Sequence, residues 1–226
     1  MLLIFDVNET LLDVSALDEL VGRVLGGDGP AARRAWFDRM IRSALTLTAA
    51  QAYEPFGALA GAALRDLAAA RGRGATEDDV RRLAAQIQSL PAHPDVAPAL
   101  GRLREAGHRV VTLTNSVLEV AHAQIDNSGL REHVDAVYSA DEVRRLKPAP
   151  EPYRMVLDRE RVAHAVLVAA HDWDVFGAAA AGLETAFLAR EGRVPFGVAS
   201  TPTYLARDLG DLVAALRPGS AGRAQR

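Results

Sequence analysis

Short apolar runs alternate with longer stretches of helical spacing along most of this chain. Leu2-Leu3-Ile4-Phe5 has no polar face, which is the pattern of a strand buried on both sides, and it predicts a strand over residues 2–6. Similar runs predict strands at 109–113, 136–138, 165–169 and 185–188. Helical spacing between them predicts helices over 96–106, 117–128, 150–158 and 175–181, the first of which ends at Gly107 as a helix C-terminus should. Apolar strands alternating with helices predict an α/β fold built on a doubly wound, mostly parallel sheet.

Residues 14–91 break this alternation. They are rich in Ala, Leu and Arg, with helical spacing at 31–47, 56–70 and 76–88, loops at 26–30 and 72–74, and a return at 91–94. The expected organisation is therefore a core formed by 1–13 and 92–217, a helical cap inserted at 14–91, and a flexible tail at 218–226.

A length of 226 residues with 49% hydrophobic content suits one sizeable domain carrying such an insertion. The net charge of −3 and the pI near 6.1 leave no electrostatic footprint for nucleic acid or an anionic membrane. With no cysteine there is no disulfide framework, thiolate nucleophile or zinc-thiolate site. The opening apolar run is cut by Asp6 too early to be a signal peptide or a membrane span. A cytoplasmic enzyme with a small-molecule substrate is the expectation.

In an open α/β sheet, ligands bind beyond the carboxyl ends of the strands. Those ends carry Asp6, Asn8 and Thr10, then Thr114-Asn115-Ser116, then Lys147-Pro148-x-Pro150-x-x-Tyr153, then Ala169-Ala170-His171-Asp172-Trp173-Asp174. A carboxylate at a strand tip is a candidate covalent nucleophile, although an aspartate there, taken alone, more often caps a turn or a helix. Asn8, two positions on, cannot protonate a departing oxygen, so the pattern favours a leaving group that departs without an acid.

Together, in this order and across most of the chain, these clusters resemble the four signature motifs of the haloacid dehalogenase superfamily. Asp6 matches its nucleophile, Thr114 its hydroxyl residue, Lys147 its lysine and Asp174 its last acidic residue. The chain is most similar to the L-2-haloacid dehalogenases (type II): the spacing from Trp36 to Tyr53 and Phe56 looks like that family's cap helix, and Lys147-Pro148 with Tyr153, and Trp173-Asp174, look like its later motifs. Phosphatases of the superfamily carry an aspartate where Asn8 stands and a metal-binding acid where Ala170 stands.

The resemblance implies a Rossmann-like core and a metal-independent hydrolase without cofactor. It would convert short 2-haloacids to 2-hydroxy acids through an aspartyl ester, and the related dehalogenases are dimers. Lys147 would keep Asp6 ionised, Thr114 would orient it, and Asp174 would hold Lys147 or position water. Thr10, Asn115 and backbone N–H groups would stabilise the ester oxygen and the substrate carboxylate, with Asn8 and Tyr153 in the pocket.

Two departures from that family bear on the substrate. Its cap arginine follows the tryptophan, but Phe37 follows Trp36 here; Arg39 and Arg42 are the candidates to replace it, although a shift of two helical residues turns a side chain by about 200°. Phe37, Trp36 and Phe56 suit cap core as well as substrate contact. The family's Ser-Ser-Asn run is Ala169-Ala170-His171 here, and His171 would act as general base for water or donate to halide, with Asp172 tuning it. His93, His108 and His122 read as surface or loop residues. A Mg²⁺-dependent phosphatase and a ligand-binding protein without turnover are the competing readings.

Overall fold

All five expected strands form, and a sixth joins them. In the computed structural model, which describes residues 1–190, 193–197 and 201–216, β1 (Leu2–Phe5), β2 (Arg109–Thr114), β3 (Ala136–Ser139), β4 (Ala165–Ala169), β5 (Glu184–Leu188) and β6 (Tyr204–Ala206) make one sheet. Its order is β3-β2-β1-β4-β5-β6 with every neighbouring pair parallel. The expected tail at 218–226 lies outside the described residues.

The reversal of strand order falls at β1, between β2 and β4. Leu3 pairs with Val110 on one side and Val166 on the other, and all four residues of β1 are buried. The ladder runs one residue further, because the Asp6 N–H donates to the Val168 carbonyl at 3.0 Å. Asp6 thus leaves β1 with its backbone still fixed by the sheet.

Helices α5 (Val96–Glu105), α6 (Leu118–Asn127), α7 (Pro150–Glu160), α8 (Asp172–Ala180) and α9 (Leu209–Ala215) connect and cover the strands, with α1 (Asp18–Leu25), α2 (Gly29–Ala49), α3 (Phe56–Ala70) and α4 (Glu77–Gln88) inserted after β1. Gly107 ends α5 at φ +81, where a Cβ would be strained, and His108 N–H closes the last turn on the Leu103 carbonyl. α8 begins three residues earlier than its spacing predicts. Asp172 and Asp174 belong to its first turn, where acidic side chains suit the positive end of the helix dipole.

Between β1 and α5, α2 buries Ala32, Trp36, Phe37, Met40, Ile41 and Ala44 along one stripe. The Trp36 indole, almost wholly buried, donates to the Ala60 carbonyl of α3 at 2.9 Å, which satisfies its one polar atom. Thr76 and Asp79 form a reciprocal capping box that starts α4. One continuous apolar cluster joins these helices to the sheet, from Leu3, Phe5 and Val168 to Leu64 and Leu83. On the other face, Ile4, Val111 and Leu167 pack with Tyr153 and Val156 of α7.

Gly177 of α8 sets the site's geometry. A Cβ at that position would lie 2.4 Å from Pro148 Cβ and 2.7 Å from the Pro148 carbonyl oxygen, so only glycine lets α8 approach the Lys147-Pro148 segment this closely. Among the described residues, no helix is long and apolar enough to cross a membrane.

Candidate active site

Asp6 emerges from β1 only 4% exposed. Its Oδ1 accepts from Lys147 Nζ at 2.8 Å, and its Oδ2 accepts from Thr10 Oγ1 at 2.6 Å and from His171 Nδ1 at 3.0 Å. Lys147 spends its three ammonium protons on Asp6, on Asp174 Oδ2 at 2.6 Å and on the Leu113 carbonyl at 2.9 Å. Tyr153 donates to Asp174 Oδ1 at 2.5 Å. The Asn115 amide oxygen holds the Lys147 backbone N–H at 2.8 Å, and Thr10 Oγ1 also accepts from the Ala170 N–H at 2.9 Å.

Opposite charges decide the protonation states. Burial opposes ionisation of Asp6, but the Lys147 charge and the His171 hydrogen bond outweigh it and hold its carboxyl well below the usual range. Lys147 is raised despite burial, because Asp174 and Asp6 both face it. Asp174 is raised, since burial and the neighbouring Asp6 outweigh its bond to Lys147. Burial disfavours a charged His171, yet its bonds to Asp6 and Glu9 raise it from 6.5 to about 9. The imidazolium lies between Phe37, with ring centroids 5.5 Å apart and planes at 12°, and Trp173, at 4.9 Å and 23°.

The chamber at Asp6 is small, about 10 Å³, and is walled by Asn8, Phe37, Thr114, Lys147, His171 and Trp173 among others. Asn8, Phe37 and Phe56 separate it from an apolar cavity of about 160 Å³. The other side of Phe37 faces a polar cleft lined by Glu9, Arg33, Arg190 and Arg193.

The family model for haloacid dehalogenase-like hydrolases matches residues 1–182. The chain belongs to the haloacid dehalogenase-like hydrolases. This hydrolase is 30% identical over 184 residues to (S)-2-haloacid dehalogenase 1 of Pseudomonas sp. strain CBS-3, covering 80% of this chain and 81% of that protein. Its fold matches the L-2-haloacid dehalogenase of Xanthobacter autotrophicus, solved with chloropropionic acid covalently bound, at a TM-score of 0.89 and 24% identity over 99% of both chains. A dehalogenase solved as an intermediate complex matches at a TM-score of 0.87 and 27% identity over 96% of both chains.

The hydrolase brings Asp6, Thr10, Asn8, Thr114, Asn115, Lys147, His171, Asp174 and Phe37 to one strand-end cluster, but it rearranges several expected contacts. Thr10, not Thr114, bonds Asp6; the Thr114 hydroxyl accepts from the Ser116 N–H at 3.2 Å. Asn115 pins the Lys147 backbone. Tyr153 does not line the chamber, since it is fully buried behind Asp174. Arg39 does not replace the cap arginine: its guanidinium pairs with Asp66 of α3 at 2.5 Å, the expected result of the helical rotation. Arg42 is exposed and stands apart from the chamber as well. Asp172 does not tune His171, because its carboxylate accepts from the Trp173 N–H at 2.7 Å.

Glu9 takes the place expected of Asp172. Its Oε2 meets His171 Nε2 at 3.0 Å, it pairs with Arg193, and its Oε1 lies 3.4 Å from Arg33 Nη1. Glu9 has φ +62, a left-handed conformation that costs a residue with a Cβ about 1–2 kcal/mol and that its three charged partners offset. Its conformation has no clear mark in the sequence. Arg33 does: it lies four residues before Phe37, a rotation of about 40°, on the same face of α2.

With both ring nitrogens donating, His171 cannot take a proton from water in this state. Glu9→Gln removes one of its two anions and lowers its pKa by about 1–3 pH units. Asp6 and Glu9 are the charged groups facing the ring, with Lys147 behind the first and Arg33 and Arg193 behind the second. Because the folded value of about 9 exceeds 6.5, the stabilisation is complete below pH 6.5 and is lost as pH rises through about 9. Imidazole ¹⁵N titration will read the two values, and equal values in the two proteins would exclude Glu9 as the partner.

Proposed function

We propose that this hydrolase releases halide from short 2-haloacids through an ester on Asp6. The observation that carries the reading is a buried, ionised Asp6 held between two cations, Lys147 and His171, at the carboxyl end of β1 where the chamber meets the larger apolar cavity. An Asp6 oxygen attacks C2 from the side opposite the halogen, and the carbon–halogen electron pair leaves with the halide, inverting C2. Water then adds to the Asp6 carboxyl carbon and the bond from that carbon to the ester oxygen breaks. This returns the carboxylate, a 2-hydroxy acid and one proton.

Halide departs as a stable anion, so the step needs alignment and charge compensation rather than an acid. At an effective dielectric near 20, a unit charge 4 Å away contributes about 4 kcal/mol, so Lys147 and His171 offset the repulsion between Asp6 and a substrate carboxylate without a cap arginine. Alkylation cancels the Asp6 charge that helps to raise His171. The imidazolium then loses its proton more readily, and as neutral imidazole it serves as base for the hydrolytic water. In this reading Thr10, which bonds Asp6, and Asn8, in the chamber wall, stabilise the ester oxygen and the carboxylate, Asp174 and Asn115 fix Lys147, and residues 14–91 serve as a cap over the chamber through Phe37, Ile41 and Phe56.

Phosphoryl transfer with Mg²⁺ fits this residue set poorly. Asn8 stands where an acid would protonate the leaving alkoxide, Ala170 stands where a metal-binding acid would help to hold the ion, and both Asp6 oxygens already face cations.

A single turnover of 2-bromopropionate in H₂¹⁸O with enzyme in excess tests the reading. Mass spectrometry of the peptide containing Asp6 is expected to show one ¹⁸O, with unlabelled 2-hydroxypropionate as the product. Label in the product with none in Asp6 would overturn the ester route.

A further inference from the structure

We propose that the apolar cavity beside Asp6 receives the substituent on C2, so that the preferred substrates are 2-haloacids bearing an unbranched chain of about four carbons or a phenyl ring. This goes beyond the short acids and rests on the ester reading above. The cavity measures about 160 Å³ and is walled by Leu17, Trp36, Met40, Leu83, Leu90 and Val117, with Asn8 and Ser116 on the side nearest the strand ends. Packed interiors hold few voids larger than a water molecule, whereas an apolar cavity of about 150 Å³ is the size that takes up benzene.

Three residues give the cavity its direction. Asn8, Phe37 and Phe56 line both it and the Asp6 chamber, so among the described residues the apolar space next to a carbon bonded to C2 lies past these three side chains. The polar cleft beyond Phe37 is unsuited to that substituent, because Glu9, Arg33 and Arg193 are charged and ion-paired there. Asn8 is held in its wall position by Gln124 Nε2 at 2.8 Å. The rim includes exposed Gly57 and Ala84, which leaves the cavity open to entry from solvent.

Each methylene buried in such a cavity is worth roughly a factor of four in kcat/KM. Halide release from racemic 2-bromopropionate, 2-bromohexanoate and 2-bromo-3-phenylpropionate tests the inference. The two larger acids are expected to exceed 2-bromopropionate in kcat/KM by about tenfold or more. Ala60→Leu, which fills the cavity from α3, and Ala84→Trp, which closes its rim, should each cut that ratio by about tenfold. The ratio is read within one protein sample, so partial misfolding of either variant does not mimic the effect. A wild-type preference for 2-bromopropionate, or a ratio that neither variant changes, would overturn the cavity assignment and leave the ester reading standing. No halide from any of the three acids, with no label entering Asp6, would overturn the ester reading and this inference with it.

Discussion

Asp6→Asn will reduce halide release to background, a loss of about 10⁴-fold or more, while leaving the protein folded. In the proposed mechanism the carboxylate is the attacking group, and an amide of the same shape lacks the charge that makes it a nucleophile. The substitution keeps the side-chain volume inside a site only 4% exposed, so no cavity opens. Its oxygen can still accept from Lys147 Nζ, now 2.8 Å from Oδ1. The amide NH₂ then faces Thr10 and His171, which donate to Oδ2 in the wild type. Thr10 can turn its proton away, and His171 can give up its own, since it has lost one of the two anions that hold it. The variant is therefore also expected to carry a His171 of lower pKa. Halide release under steady-state conditions, paired with a thermal melt, checks both halves. A residual rate within tenfold of wild type would remove Asp6 from the role of nucleophile.

Local pattern makes the sheet and the strand-end residues legible, because each depends on a short stretch of chain. An unbroken apolar run such as Leu2–Phe5 can be satisfied only by burial on both faces, and a polar residue directly after it must sit at the sheet's edge, where the crevice lies. β6 has no such pattern: Leu205 is 66% exposed and the strand is three residues long. α1 was hidden for another reason. It is only eight residues long, too short a window for its stripe of Leu20, Val21, Val24 and Leu25, opposite Asp18, Glu19 and Arg23, to stand out as a helix.

The contacts within the site are less legible than its membership, because they depend on rotamers and on which elements meet. Spacing places Thr10 and Thr114 equally well near Asp6, yet the turn after β1 folds Thr10 back onto the carboxylate four residues earlier. Glu9 needs still more context. Its φ of +62 is tolerable once His171, Arg33 and Arg193 have converged on it from the turn after β4, from α2 and from the segment after β5. Phe37 gains its meaning in the same way. Where the related family carries an arginine on this helix, Phe37 stacks on the imidazolium of His171, so positive charge reaches the chamber from the sheet side instead of from α2.

Lys147→Met will destabilise the protein by about 3–5 kcal/mol at pH 8, because it removes the cation shared by two buried carboxylates and leaves Asp174 with no counter-ion and Asp6 with His171 alone. Lys147 is 1% exposed, and its ammonium lies 2.8 Å from Asp6 and 2.6 Å from Asp174, so its loss leaves two buried carboxylates facing each other. Two such groups cannot both remain ionised, and the pair will take up a proton that the wild type does not hold. That uptake fixes the sign of the pH dependence. In the variant a carboxyl with a folded pKa raised above its unfolded value of 3.8 contributes most at low pH and loses its contribution as pH rises through the raised value. The difference in urea midpoint between Lys147→Met and wild type should therefore shrink as pH falls from about 8 to about 5. Activity should fall together with stability, since a shared proton on Asp6 quenches the nucleophile. Midpoints that coincide at pH 8 would mean that the ammonium does not hold the two carboxylates together, and the charge compensation assigned to Lys147 would have to come from His171 alone.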